Sequence, residues 1–185
     1  MKKLVFQSQI FASTILAVML ILSSCGTSTA QKESAPEMDL HTAAMTGDLI
    51  AVKQHIAAGS DLNERDPFGG SSPLITAAIF DKKDVVVLLL DAGADINFQN
   101  NDGSTALISA AFFGRPEIVK LLLDRKADKT IKNKYNTTAY DNVAAPFANV
   151  KEVYDVIGGM MEPMGLKLDY AYLEKIRPQI AKMLN

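Results

Sequence analysis

The sequence predicts an all-α fold in which short helix-turn-helix units stack to form a solenoid. Residues 71–103 align without a gap on residues 104–136, so leucines, alanines and aspartates recur at a spacing of 33. Within each copy the apolar residues recur at helical intervals, and each copy ends in a polar stretch rich in turn-forming residues. Because one such unit cannot bury its apolar faces alone, we expect several units to share one core.

The first 24 residues are predicted to be a signal peptide. Lys2 and Lys3 give a positive start, and no charged residue follows before Lys32. A positive start, a short apolar core and small residues at a cleavage point are typical of secretory signals. The core, residues 15–22, is shorter than the about 20 apolar residues of a membrane-spanning helix. A permanent membrane span is therefore the second alternative.

Cys25 is the one cysteine of the chain, and it follows directly after the predicted signal peptide. Residues 22–25, Leu-Ser-Ser-Cys, resemble the lipobox of bacterial lipoproteins. The resemblance implies that the Cys25 thiol carries a diacylglycerol, that the chain is cut just before it, and that the new amino terminus is acylated. The alternative is a buried free cysteine, but the polar residues that follow offer no core around it. Two or three acyl chains, at about 0.8 kcal/mol per buried methylene, would hold the protein on a membrane.

The lipoprotein resemblance implies a location in the bacterial cell envelope, with the domain facing the periplasm or the cell surface. Gly26 is not aspartate, which favours the outer membrane under the sorting rule of enteric bacteria. Residues 25–37 are expected to be the lipidated cysteine and a flexible tether. Without Lys2 and Lys3, the remaining 17 basic residues stand against 21 acidic ones, a net charge of about −4. No basic patch stands out, so nucleic acid is not an expected partner.

The repeat region is predicted to cover residues 38–157. It divides into copies at 38–70, 71–103 and 104–136 and a degenerate copy at 137–157. The first copy follows the same template at a spacing of 34 instead of 33, and the extra residue is most simply Gly70. Gly93 follows a predicted second helix, where a left-handed residue often ends a helix. The fourth copy starts like the others and then diverges, so its second helix is a candidate cap.

Two motif blocks recur in phase through these copies. Ser-Ser-Pro-Leu at 71–74 and Ser-Thr-Ala-Leu at 104–107 match the T-P-L-H start of the ankyrin repeat, and Leu40 and His41 match its end. The segments 92–97 and 58–63 match its A-G-A-D-V-N ending. The region therefore resembles an ankyrin-repeat domain. This resemblance implies a helix, a turn, a second helix and an extended loop in each copy.

Two histidines lie in the first copy. His41 stands where the ankyrin motif carries a structural histidine, and the resemblance implies that it hydrogen-bonds to backbone. Gln54 and His55 occupy positions that leucines fill in the later copies. Such polar residues suit an end repeat with one solvated face, so we expect His55 to be half exposed.

The last segment, residues 158–185, is predicted to be a helical cap on the repeats. Asp169 is a candidate N-cap, and the apolar residues after it recur at intervals of three and four. Pro178 is expected to bend this helix or to split it. A helix that binds a partner instead of covering the last repeat is the alternative.

Motifs of catalysis and metal binding are missing from the sequence. It contains no H-E-x-x-H, G-x-S-x-G or P-loop pattern, and its two histidines and single cysteine exclude a zinc-finger cluster. We therefore expect a monomer that is not an enzyme and that needs no cofactor or metal. An enzyme with an unrecognised site is the remote alternative.

The ankyrin resemblance implies that another protein binds to the loop tips and to the exposed face of the first helices. The corresponding candidate residues are Phe68, Ile79, Phe80, Asn101, Asp102, Phe112, Phe113, Lys134 and Tyr135. Contiguous exposed apolar patches mark interaction sites; the alternative is that some of these side chains pack against one another or under the tether. We expect a membrane-anchored, non-catalytic binder of an unidentified envelope protein. The alternative function is an immunity or inhibitor protein that blocks a periplasmic toxin or enzyme.

Overall fold

A computed structural model describes residues 35–185, and within that range it contains nine α-helices and no β-strand. The helices are α1 (Leu40–Thr46), α2 (Leu49–Ala58), α3 (Pro73–Ile79), α4 (Lys83–Asp91), α5 (Ala106–Phe112), α6 (Pro116–Asp124), α7 (Asp141–Ala144), α8 (Lys151–Met161) and α9 (Tyr170–Leu184). Two 3₁₀ turns, Phe147–Asn149 and Glu162–Met164, flank α8. The predicted signal peptide, Cys25 and most of the tether lie outside the described residues.

The first helix of each copy begins at a side-chain cap. Asp39, Ser72 and Thr105 precede α1, α3 and α5, and each accepts a hydrogen bond from a backbone N–H of the first turn. The distance is 2.9 Å from Thr42 N to Asp39 Oδ1. Such caps satisfy N–H groups that have no partner within the helix. The Asp, Ser or Thr before each first helix therefore sets where that helix starts.

The helices stack in two layers. The first helices α1, α3, α5 and α7 pack on one another in chain order, and the second helices α2, α4 and α6 form the other layer. Paired alanines lie fully buried where the first helices meet, and leucines fill the space between the layers. The alanines are Ala43, Ala44, Ala77, Ala78, Ala110 and Ala111, and the leucines include Leu74, Leu89, Leu107 and Leu122. Small side chains let the first helices approach closely. The two stacked layers of helices confirm the predicted all-α solenoid.

A side-chain tie joins each copy to the next. Asn63 Oδ1 accepts a hydrogen bond from Asp95 N at 2.9 Å, and Asn97 Oδ1 accepts one from Asp128 N at 2.9 Å. These asparagines end the recurring Asp-x-Asn block. Thr130 takes their place in the third copy. The regular tie between copies therefore ends where the sequence pattern ends.

His55 is buried, so the expectation that it is half exposed is wrong. Its side chain is 6% exposed, with Nδ1 at 2.9 Å from Ser60 Oγ and Nε2 at 2.7 Å from the Met38 carbonyl. The ring joins the loop after α2 to the backbone before α1. A polar residue can occupy this leucine position because both ring nitrogens have partners.

His41 differs from the expectation that its ring hydrogen-bonds to backbone. Both of its ring nitrogens are shielded from solvent, and neither has a hydrogen-bond partner among residues 35–185.

The C-terminal segment lies over the third copy. Asp169 caps α9 by accepting a hydrogen bond from Tyr172 N at 3.0 Å, and α9 packs against α5, α6 and α7. Pro178 does not split this helix, which is continuous from residue 170 to residue 184. The Pro178 side chain is exposed. The apolar side of α9 buries Leu173, Ile176, Ile180 and Leu184.

Candidate functional site

Three loops connect the copies, and a side-chain oxygen organises each of them. Asp66 Oδ1 accepts hydrogen bonds from Phe68 N and Gly69 N, at 2.7 and 2.8 Å, and Oδ2 accepts one from Ser71 N at 2.6 Å. Asn100 and Asn133 do the same in the next two loops. This is the turn that Asp and Asn side chains form with backbone two residues on. The loop tips are therefore built to one pattern.

The pKa of Asp66 is lowered by this arrangement. Burial of the carboxyl group alone would raise the pKa, but the N–H groups of Gly69, Phe68 and Ser71 together outweigh it. Each of these hydrogen bonds favours the charged carboxylate over the protonated acid. Asp66 therefore remains ionised to a lower pH than a free aspartate, and its loop keeps its acceptor.

Neighbouring loops are also joined to one another through backbone. Asn101 N donates to the Gly69 carbonyl at 3.0 Å, and Lys134 N donates to the Asp102 carbonyl at 2.8 Å. Arg65 adds a side-chain link, because its guanidinium donates to the Gln99 carbonyl at 3.0 Å. The three loops form one hydrogen-bonded series along the edge of the solenoid.

The tips of these loops carry two strongly exposed aromatic side chains. Phe68 is 90% exposed and Tyr135 is 72% exposed. They occupy the same position in the first and third loops, and Asp102 occupies that position in the second. Asn101 and Lys134 beside them are also exposed. Five of the nine candidate binding residues thus lie together at the loop tips.

The candidate residues on the first helices are placed differently, and for Phe113 the expected exposure is wrong. Phe113 is 7% exposed, and Phe112 is half-buried. Tyr154 of α8 stacks on the Phe112 ring at 4.4 Å between centroids, and its hydroxyl donates to the Phe112 carbonyl at 2.6 Å. The C-terminal segment, which the repeat pattern does not describe, covers this end of α5. Ile79 and Phe80 are half-buried.

Sequence reasoning missed two buried residues that follow the third copy. Tyr154 is fully buried, and burial raises the pKa of its hydroxyl against the opposing effect of Arg177. Arg177 is 1% exposed; its guanidinium donates to Tyr154 Oη at 2.7 Å and to the Ala145 carbonyl at 3.0 Å. Tyr154 falls in the divergent copy, where no repeat pattern indicates burial. Arg177 lies on the apolar face of α9, four residues after Leu173 and three before Ile180, but a charged side chain is not normally expected to be buried.

Among residues 35–185, no group of three or more His, Cys, Asp or Glu residues could hold a metal ion. Within the same range, no helix has the length and the apolar character needed to cross a lipid bilayer.

The motif spacing, the two helical layers and the side-chain ties agree with a comparison to known families. The family model described as "Ankyrin repeats (3 copies)" matches residues 40–133, half of the chain. The chain belongs to the ankyrin-repeat family. Ankyrin repeats generally mediate protein–protein interaction and are typically non-catalytic. The match includes the first two loop tips and ends at residue 133, so the third tip, α7 and the C-terminal segment lie outside it.

A curated relative matches part of the chain. Inversin from Gallus gallus is 36% identical over 59 residues, which cover 32% of this chain and 5% of that protein. This ankyrin-repeat chain therefore matches about a twentieth of the length of that relative. The similarity supports the repeat fold.

Proposed function

We propose that this ankyrin-repeat protein binds another protein through its loop tips, while a lipid on Cys25 holds it on a membrane of the bacterial cell envelope. The main support is the exposure of Phe68, whose side chain is 90% exposed on a loop held by three hydrogen bonds to Asp66. An aromatic side chain on an ordered backbone loses little conformational freedom on binding. Aromatic anchors of this kind contribute about 2 kcal/mol or more each at interface hot spots.

The half-buried residues Ile79 and Phe80 would contribute apolar area beside the tips. Phe112 and Phe113 lie at the end of α5 that α8 covers, and the Phe112 ring contacts both Phe113 and Tyr154. These two phenylalanines therefore support the packing of α8 and do not contact the partner directly. The proposed binding surface therefore consists of Phe68, Asn101, Asp102, Lys134 and Tyr135 at the tips, with Ile79 and Phe80 beside them. No bond is made or broken in this function.

The double variant Phe68→Ser/Tyr135→Ser tests the proposed surface. We expect it to fold normally, since both side chains are exposed, and to lose partner capture by about 30-fold or more, as two hot-spot residues imply. The measurement is a crosslinked pull-down from detergent-solubilised envelopes, with the partner then titrated in pure form. Purified protein is compared by circular dichroism beforehand.

Ile50→Ser is the matched control for that test. Ile50 is 72% exposed, as Tyr135 is, but it lies on the second helix α2 rather than at a loop tip. The control should capture the partner as the native protein does. Equal capture by the native protein and the double variant would contradict the loop-tip proposal. A captured toxin or hydrolase that loses activity on binding would assign the inhibitor role.

Cys25→Ala tests the anchor separately. The resemblance of residues 22–25 to a lipobox supports a thioether-linked lipid at this cysteine. We expect the variant to accumulate as unprocessed precursor and to incorporate no labelled fatty acid, whereas Ser24→Ala should be processed and labelled normally. Processing of Cys25→Ala to the native size would contradict the lipid anchor without affecting the binding surface.

A further inference from the structure

A cavity of about 250 Å³ lies between α7 and α9, away from the loop tips. Its walls are mainly apolar and include Val143, Phe147 and Pro178. Two charged side chains, Arg177 and Glu174, also line it. A concave and mostly apolar site with a few polar groups is the usual form of a small-ligand pocket.

Arg177 is an unusual residue to find in such a wall. Its side chain is 1% exposed, and two of its three nitrogens donate hydrogen bonds to neutral oxygens, those of Tyr154 and Ala145. The third nitrogen, Nε, is buried and has no hydrogen-bond partner within residues 35–185. None of the ion pairs in that range includes Arg177. Glu174, one turn earlier on α9, is exposed and forms no ion pair with it.

The physical chemistry of this arrangement favours an anion. A buried charge is normally paired, because removing an ion from water without a counter-charge is costly. A guanidinium fits a carboxylate especially well, since its planar N–H groups match the two carboxylate oxygens. The apolar walls would in turn contact an aromatic or branched aliphatic group attached to that carboxylate. Glu174 at the wall disfavours a ligand with more than one negative charge.

We propose that the cavity between α7 and α9 binds a monocarboxylate that carries an apolar group, with Arg177 as its counter-ion. The carboxylate belongs either to a free small acid or to the C-terminal residue of a peptide. This site is separate from the loop tips, so the proposal does not depend on the partner that the tips bind.

Titration of the purified protein with benzoate and with benzamide tests the proposal. The readout is the shift of backbone amide resonances in residues 140–147 and 174–181 at low ionic strength. We expect benzoate to bind about tenfold or more tightly than benzamide, which has the same shape and no charge. A second arm compares acetyl-Gly-Gly-Phe as the free acid and as the amide. Preference for benzoate assigns a free acid, and preference for the peptide acid alone assigns a peptide terminus.

Two variants test the role of charge in the cavity, and the second of them is expected to leave the fold unchanged. Arg177→Met should lose the preference for the acid, but removing Arg177 also leaves Tyr154 without its donor. Glu174→Gln changes an exposed side chain with no hydrogen bond among residues 35–185, so it should fold as the native protein does. It should tighten benzoate binding severalfold and leave benzamide binding unchanged, because it removes a like charge from the wall. Absence of binding by both acids, or equal binding of acids and amides, would overturn the proposal.

Discussion

Deletion of residues 169–185, which removes α9, is expected to abolish cooperative folding of the repeats. The helix buries Leu173, Ile176, Ile180 and Leu184 against α5, α6 and α7. Burial of one such side chain stabilises a fold by about 1.5–3 kcal/mol, so the four together contribute roughly 6–12 kcal/mol. A whole domain is stable by only about 5–15 kcal/mol. Urea unfolding followed by circular dichroism at 222 nm measures the loss.

A pair of point variants separates the packing of α9 from the mere shortening of the chain. Ile180→Ala removes a fully buried side chain and should cost about 2–5 kcal/mol. Gln179→Ala alters the exposed neighbour and should change stability by about 0.5 kcal/mol or less. A truncated chain with the same unfolding midpoint as the full chain would contradict the capping role. It would then favour the alternative, a helix available to a partner.

Gly114→Ala is expected to destabilise the protein by about 2–5 kcal/mol. Gly114 has a φ of +68° in the turn between α5 and α6, and a left-handed residue with a side chain costs about 1–2 kcal/mol. An added Cβ would also lie 2.8 Å from Leu173 Cδ2 and 3.1 Å from Ile176 Cγ2. Both side chains are buried and cannot easily move, so overpacking adds about 1–3 kcal/mol. Chemical unfolding of the purified variant gives the free energy.

The chain itself offers two comparisons for Gly114. Asp81 occupies the same position in the preceding copy with a φ of +59°, so the turn accepts a side chain where no C-terminal helix lies over it. Gly93 has a φ of +93° with nothing within 4 Å of an added Cβ. Gly93→Ala should therefore show the backbone cost alone, about 1–2 kcal/mol. Equal losses in the two alanine variants would show that α9 does not press on Gly114.

The repeat fold was predictable because the same physical solution recurs along the chain. A capping side chain at the start of the first helix and paired alanines between first helices keep their phase in three copies, and the leucines of the second helix keep theirs in the second and third. Each recurrence is a separate observation of the same local preference. The candidate residues at the loop tips follow from the same register, and the structure places all five of them on exposed loops.

The wrong predictions of exposure concern residues whose burial depends on contacts outside the repeat pattern. His55 stands at a leucine position, and its burial depends on Ser60 and the Met38 carbonyl, which no periodic pattern encodes. Phe113 aligns with half-buried Phe80, yet α8 and α9 cover its end of the helix. The segment that contains α8 and α9 occurs once in the chain, so no second copy indicates how it packs. Arg177 and its cavity were missed for the same reason.

The spacing of the two aromatic tips limits what can occupy both of them. Phe68 and Tyr135 lie two loops apart, and stacked helices are about 8–10 Å from axis to axis, so the rings stand roughly 16–20 Å apart. An extended strand rises about 3.3 Å per residue and needs five or six residues to cross that distance. Shorter fragments of a partner can touch one ring only. Affinity along a series of partner fragments should therefore increase in one step at that length, as expected for two linked contacts.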